Sequence, residues 1–355
     1  MKRTAKYAGL DVHQATTVAV VREETGRVIA RAILPTDAAA LPAFFRAMRG
    51  RVVVAYEEGT QAQWLYDLLV PLVARVVVCN RREIRRRGNK GDWQDAEELA
   101  ALLHRGALRA VYHGGGARGA ELKELARTYV TLVEDATRVM TRVKALYRAR
   151  AIPTKGRAVY HARERATWLA KLPAGGVGFR ADVLYRELEV LQALRAQAKT
   201  ALVRAAHEDP AWAVLRTIPF LGPVRVALLL GILKTPWRFR TKRHLWAYAG
   251  LAVVTRTTAE YTLEGRTPVR RHRAPVTRGL NRNHHPLIKM LFKSAATAAT
   301  ARPGALQEFY QRLLGRGMRE ELARLTLTRK LAALTLRLWK TGEAYDPVQL
   351  TRSAG

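Results

Sequence analysis

Two carboxylates three residues apart stand out in the run Lys90-Gly91-Asp92-Trp93-Gln94-Asp95-Ala96-Glu97-Glu98-Leu99. At the start of a helix, positions i and i+3 share a face, so Asp92 and Asp95 can aim at one point. A basic run from Arg81 to Lys90 leads into them. Acids behind a cationic approach suggest a metal ion held against a phosphate backbone. The competing reading is a capping box, with Asp92 as N-cap and Asp95 as its N3 partner. Two further acids end apolar runs: Asp11 after Tyr7-Ala8-Gly9-Leu10, and Glu57 after Arg51 to Tyr56. Read singly, Asp11 is a strand-end turn residue and Glu57 an exposed loop acid. Read together, four acids cannot all stay ionised in one place without a cation, and hard oxygen ligands suit Mg2+. Two such ions would clamp the attacking and leaving oxygens of a phosphodiester.

The elements that must position these acids follow from hydrophobic patterning. Tyr7 to Asp11, Thr16 to Arg22 and Val28 to Leu34 read as strands, the last two joined at Glu24-Thr25-Gly26 as a hairpin. Ala38 to Arg49 is helix-like, with Pro42 near its start. Arg51 to Tyr56 and Arg75 to Cys79 read as buried strands around a helix from Gln61 to Val70. A strand meander followed by alternating strands and helices fits an RNase H-like (RuvC-like) α/β layer. In that layout Asp11 lies on the first strand, Glu57 ends the fourth, and Asp92 and Asp95 open a later helix. His13 follows Asp11 closely and is read as a bystander.

The bulk numbers narrow the partners. The chain has 355 residues, with 62 Lys and Arg against 29 Asp and Glu, a formal net charge of +33. The usual partner of such a chain is nucleic acid, because each neutralised phosphate releases condensed counterions. A membrane surface is the other anionic candidate, yet no segment is long and apolar enough to span a bilayer. Met1-Lys2-Arg3-Thr4 runs into a strand pattern and not a signal peptide, so the chain is read as cytoplasmic. Cys79 is alone, which excludes a disulfide framework and a cysteine-based zinc site. Serine occurs only at Ser294 and Ser353.

Beyond a break at Gly114-Gly115-Gly116, the residues Leu122, Leu125, Tyr129, Leu132, Ala136, Val139, Val143 and Leu146 recur at alternating spacings of three and four. This is a coiled-coil seam on one long helix. A second helix is expected from Phe179 to His207. The two helices pair either with each other or with a second subunit. Leu215 to Val224 then runs into Arg225 to Leu233 as a helix, a tight Pro/Gly hairpin and a helix. Such a helix-hairpin-helix element binds phosphates through backbone N–H groups, unless it is only a packed αα-hairpin. A strongly basic stretch from Arg266 to Arg282 precedes a helix from Pro286. Glu320 to Leu338 reads as a terminal helix and Val348 to Gly355 as a tail. Trp93 and Trp246 are the candidate base stackers, each otherwise core.

The segments Gly9-Leu10-Asp11-Val12-His13, Tyr56-Glu57-Glu58-Gly59-Thr60 and Lys90-Gly91-Asp92-Trp93-Gln94-Asp95 resemble the DEDD-type transposases of the IS-one-ten insertion-sequence family. The resemblance implies a RuvC-like domain (residues 1–113), a helical coiled-coil region (114–207), a mostly helical transposase domain (208–342) and a tail (343–355). It implies Asp11, Glu57, Asp92 and Asp95 as catalytic Mg2+ ligands, with Glu58 the rival of Glu57. It also implies a serine nucleophile in a pattern close to Arg-Ser-Ser-Ala-Asp-Tyr. This chain reads Arg256-Thr257-Thr258-Ala259-Glu260-Tyr261, so the candidate nucleophile is Thr258, with Thr257 and Tyr261 as alternates. A threonine hydroxyl can attack a phosphodiester, but its methyl group crowds the approach. The family's acids and nucleophile come from different subunits, giving a homo-oligomer, and a structured noncoding bridge RNA selects the DNA. Phosphate contacts are expected from Arg85, Arg86, Arg87, Lys90, Arg256, Arg270, Arg271, Arg273, Arg278 and Arg282. The competing functions are a metal-dependent junction nuclease, needing only the acids, and a catalytically silent nucleic-acid-binding protein.

Overall fold

The computed structural model describes residues 4–80, 91–114, 116–256, 260–264, 267–271 and 276–350. The chain divides into two compact units, Met1–Gly116 and Ala117–Gly355.

The first unit is built on a five-stranded sheet. Its strands are β1 (Ala5–Val12), β2 (Thr16–Glu23), β3 (Val28–Pro35), β4 (Arg51–Glu57) and β5 (Arg75–Cys79). Their spatial order is β3-β2-β1-β4-β5, with β1, β2 and β3 antiparallel neighbours and β4 and β5 added parallel to β1. This is the RNase H-like layout that the patterning predicts. Side chains alternate across the sheet with period two. Ala8, Leu10, Ala19, Val21, Val54 and Tyr56 face α1 (Ala40–Arg46) and α2 (Ala62–Leu69), which contribute Leu41, Phe45, Leu65 and Leu69 to one core. The opposite face packs Val18 and Val20 against Ala96 and Ala100 of α3 (Asp92–His104). The helix expected from Ala38 begins later because the Asp37 carboxylate accepts the N–H groups of Ala39 and Ala40.

The second unit is helical. The long helices α4 (Gly116–Arg148) and α6 (Gly176–His207) run antiparallel and pack on each other within the chain, with the short α5 (Arg165–Leu169) between them. Val139, Val143 and Tyr147 meet Ala181, Leu184 and Tyr185 at one end, where the two tyrosine hydroxyls hydrogen-bond at 2.9 Å. At the other end Leu122, Ala126, Leu202 and Ala206 join the core of the helices that follow. Packing is therefore continuous across residues 207 and 208. Those helices are α7 (Trp212–Arg216), α8 (Pro223–Leu233), α9 (Lys242–Tyr248), α10 (Pro286–Thr300), α11 (Ala305–Gly315) and α12 (Glu320–Thr341). Leu350, placed by the sequence in a tail, is instead buried in this core, because the 3-10 turn Pro347–Leu350 folds it inward.

A β-arm that hydrophobic patterning does not predict is inserted between α9 and α10. Its base is the antiparallel pair β6 (Val253–Arg256) and β9 (Val276–Leu280); beyond it pair β7 (Glu260–Glu264) and β8 (Thr267–Arg271).

Candidate active site

Asp11 is the penultimate residue of β1, and strand parity decides where it points. Leu10 is fully buried on the α1/α2 face, so Gly9 and Asp11 belong to the α3 face. Gly9 is the seat of the helix. A Cβ there would lie 2.2 Å from the Ala96 carbonyl oxygen and 2.4 Å from the Ala100 nitrogen. Only a residue without a side chain lets α3 come this close to β1. With Ala96 over Gly9, the first turn of α3 reaches along β1 towards Asp11.

Two tethers hold α3 in that position. Glu97 accepts from Arg22 of β2 at 2.8 Å and from Arg31 of β3 at 2.9 Å. His104 at the far end bonds the Glu24 carbonyl at 2.9 Å and stacks edge-on against Tyr7. The N-cap of α3 is Gly91, and no side chain caps the helix. Asp92 is thus the first helical residue, and the capping-box reading does not hold. The acids Asp92 and Asp95 sit in the first turn, where the helix dipole favours negative charge.

His13 joins the two elements. Its Nε2 is 3.0 Å from Asp11 Oδ2 and 3.6 Å from Asp92 Oδ1. Donor atoms of Asp11, His13 and Asp92 all lie within 4.8 Å of one another, the one such group of three among the described residues. Asp95 is outside that group, yet its charge acts on Asp11. Burial, and then the charges of Asp95 and Asp92, push the Asp11 carboxyl above its ordinary value, while the charge and hydrogen bond of His13 pull it down. Glu57 ends β4 one residue past Tyr56, which pairs with Leu10, so Glu57 extends the row beside Asp11. Its parity matches Ala55, which packs with Leu103 of α3. Glu58 has left the strand: its N–H donates to the Cys79 carbonyl at 2.8 Å, and its carboxylate lies 3.9 Å from His113. The donor set, carboxylates with one imidazole at the C-terminal end of the central strand β1, fits a divalent cation and gives Asp11 and Asp92 no described arginine or lysine as an alternative partner.

The remaining sequence-derived residues fall into two groups. Arg85, Arg86, Arg87, Lys90, Thr257, Thr258 and Arg273 lie outside the described residues. Arg256 ends β6, Arg270 and Arg271 end β8, Arg278 lies within β9, and Arg282 is exposed just beyond it. Tyr261 is on β7, paired with Arg270. Ser294, half-buried on α10, donates to the Leu291 carbonyl and accepts from Arg225. Both bonds tie its hydroxyl to the helix packing and leave it unsuited as a nucleophile. Trp246 is structural, its indole N–H donating to the Arg329 carbonyl at 3.0 Å. His13, read from sequence as a bystander, lies just past the end of β1 and is placed between Asp11 and Asp92.

A sheet of order β3-β2-β1-β4-β5 with acids at the β1 end and on the helix across it defines an RNase H-like DEDD domain. The comparisons agree: residues 8–149 match a family model described as a transposase, and residues 213–311 match one described as the transposase IS116/IS110/IS902 family. No curated protein matches the chain. The chain belongs to the IS110/IS116/IS902 family of insertion-sequence transposases.

Proposed function

We propose that this chain is an active DNA recombinase of its insertion sequence, with Asp11, Glu57, Asp92 and Asp95 as the ligands of Mg2+ and Thr258 as the nucleophile. The observation that carries this reading is the convergence of Asp11, His13 and Asp92 within 4.8 Å at the point where α3 crosses β1. Bound there, divalent cations would offset the negative charge that develops on the phosphate oxygens. The chain's own groups do the rest. Asp11 and Glu57 come from neighbouring parallel strands and Asp92 and Asp95 from one helical turn, so the acids are set by rigid elements and not by loops. The Thr258 hydroxyl attacks phosphorus, a Thr–O–P ester forms, the bond from phosphorus to the sugar oxygen breaks, and that oxygen leaves with a proton. The reverse reaction with a second DNA end restores Thr258 and joins the strands. His13 holds Asp11 and Asp92 in register before DNA arrives.

The partners in this reading are element and target DNA, a second copy of the chain carrying the complementary part of the site, and a bridge RNA. The RNA and the oligomer rest on the family resemblance; the charge of +33 accommodates both nucleic acids. No helix among the described residues is long and apolar enough to cross a membrane.

The test is a covalent adduct. The protein is produced together with its native flanking DNA, mixed with labelled element-junction DNA and Mg2+, and run on a denaturing gel. A protein–DNA band that is present in the wild type and absent in Thr258→Ala is expected. Replacement of serine by threonine at the nucleophile position favours one rival, a junction nuclease that needs only the acids. Cleavage without any adduct would establish it.

A further inference from the structure

Trp237 is 71% exposed, the most exposed large hydrophobic side chain among the described residues. Burying an indole is among the larger apolar gains available to a fold, so an indole left in water on an anchored backbone calls for a reason. The backbone of Trp237 is anchored. It belongs to the 3-10 turn Pro236–Arg238, with Pro236 buried and the Trp237 backbone N–H donating to the Thr235 hydroxyl. On its far side Phe239 is buried, and the Arg238 guanidinium lies over the Tyr248 ring at 4.5 Å while donating to the Ile232 carbonyl. Residues 236 and 239 anchor the turn and 237 and 240 face outward.

One cation lies against this ring, and others follow it in sequence or share α12. Lys340 of α12 places its Nζ 5.3 Å from the Trp237 centroid, and its donation to the Phe239 carbonyl at 2.6 Å fixes it there. Arg240, Lys242 and Arg243 follow within six residues and are exposed. Lys330 and Arg337 lie on α12, and charge crowding is felt among them: burial, then Lys242 and Arg337, hold the Lys330 ammonium below its ordinary value. Glu343, which accepts from Arg337 at 3.3 Å, is the one acid paired with this group among the described residues. A flat aromatic face with one cation against it, and an excess of positive charge along the same segment and on α12, is the composition of a single-strand binding surface, where bases stack on the ring and cations take the phosphates.

We infer that Trp237, with Arg240, Lys242, Arg243, Arg337 and Lys340, binds an unpaired stretch of nucleic acid by stacking one base on the indole. This site lies in the second unit and uses none of the catalytic residues. It rests on the reading of the chain as a nucleic-acid enzyme, but not on the acids or on Thr258.

The test is fluorescence anisotropy with the full chain and labelled oligothymidylate, oligouridylate and mixed-sequence duplex DNA. Variants are Trp237→Ala, Trp237→Phe and Arg243→Ala. Exposure of the side chain means that the variants fold, which circular dichroism checks. Trp237→Ala is expected to weaken one or both single strands by about 5- to 100-fold and the duplex by less than about twofold. Trp237→Phe should recover most of the loss, and Arg243→Ala should lower the salt slope by about one. The single strand that suffers more, DNA or RNA, identifies the natural occupant. Unchanged single-strand affinity in Trp237→Ala, or an equal loss on duplex, would overturn the inference and leave the transposase reading standing. Failure of the wild type to bind any of the three would overturn both.

Discussion

At the scale of single residues, Asp11 is pulled in two directions. Burial and the charges of Asp95 and Asp92 raise its pKa, while His13 lowers it, and the net direction is upward. An acid whose pKa is raised by folding is costly when ionised. The metal-free protein is therefore most favoured below the ordinary value of 3.8, and it loses stability as pH climbs from there through the raised value. Above the raised value the penalty is fully present. Asp11→Asn should raise the metal-free melting temperature by about 2–4 °C while removing activity, the trade expected where function requires clustered charge. Mg2+ should raise the melting temperature of the wild type but not of the variant. Differential scanning fluorimetry with and without Mg2+ checks both; a variant that melts lower than wild type without metal would remove the electrostatic argument. The proposal of Glu57 over Glu58 rests on strand parity, which puts Glu57 in the row beside Asp11. Glu57→Gln should abolish cleavage and Glu58→Gln should leave it within about tenfold, read in the same cleavage assay. From sequence both glutamates were open, because a strand end cannot be located to one residue by pattern alone.

At the scale of elements, one glycine sets the distance between β1 and α3. Gly9→Ala would drive its methyl group into the Ala96 carbonyl, and α3 must move off the sheet. We expect a loss of about 3 kcal/mol in the first unit by urea denaturation, with cleavage reduced further because Asp92 and Asp95 move away from Asp11. The β-arm has a comparable anchor. Gly250 has φ +64 and sits against the His284 ring, which a Cβ would approach to 2.5 Å. Asn281 closes the base by donating its backbone N–H to the Ala252 carbonyl, and Arg329 donates to the Leu251 carbonyl at 2.6 Å. His285 stacks on Tyr248 beside this joint. Burial, then Arg238 and His284, lower its pKa from 6.5, so the fold holds the neutral ring. Stability from this histidine is complete above 6.5 and drains away as pH falls from there through the lowered value. Thermal melts at pH values on either side of that window should show a drop that His285→Gln abolishes. The five strands of the sheet, the long helices and α10 were legible because their apolar periods are sustained. The β-arm was not, since its strands are four or five residues long and rich in Thr and Arg. Its pairing, and not local hydrophobicity, makes it a strand ladder. Trp237 escaped notice for a related reason: within Lys234-Thr235-Pro236-Trp237-Arg238-Phe239-Arg240, nothing local says that one aromatic faces out and the next faces in.

At the scale of the whole molecule, the proposed function and a net charge of +33 together predict nucleic-acid binding that is strong and poorly discriminating. Affinity for unrelated duplex should fall steeply with salt, by about 1,000-fold or more between low and physiological ionic strength if six or more phosphates are neutralised. Filter binding across a salt series measures this directly, and a shallow slope would mean that the charge is spread away from any contact surface. Specific chemistry must then come from geometry, and the acids are carried by two paired strands and one helical turn. The most direct measurement is single-turnover cleavage of element-junction DNA in Mg2+, comparing wild type with Asp11→Asn and Asp92→Asn. Both substitutions are expected to lower the rate by about 1,000-fold or more at unchanged DNA affinity, since the acids serve the transition state and not binding. Cleavage that persists at the wild-type rate in either variant would contradict that role.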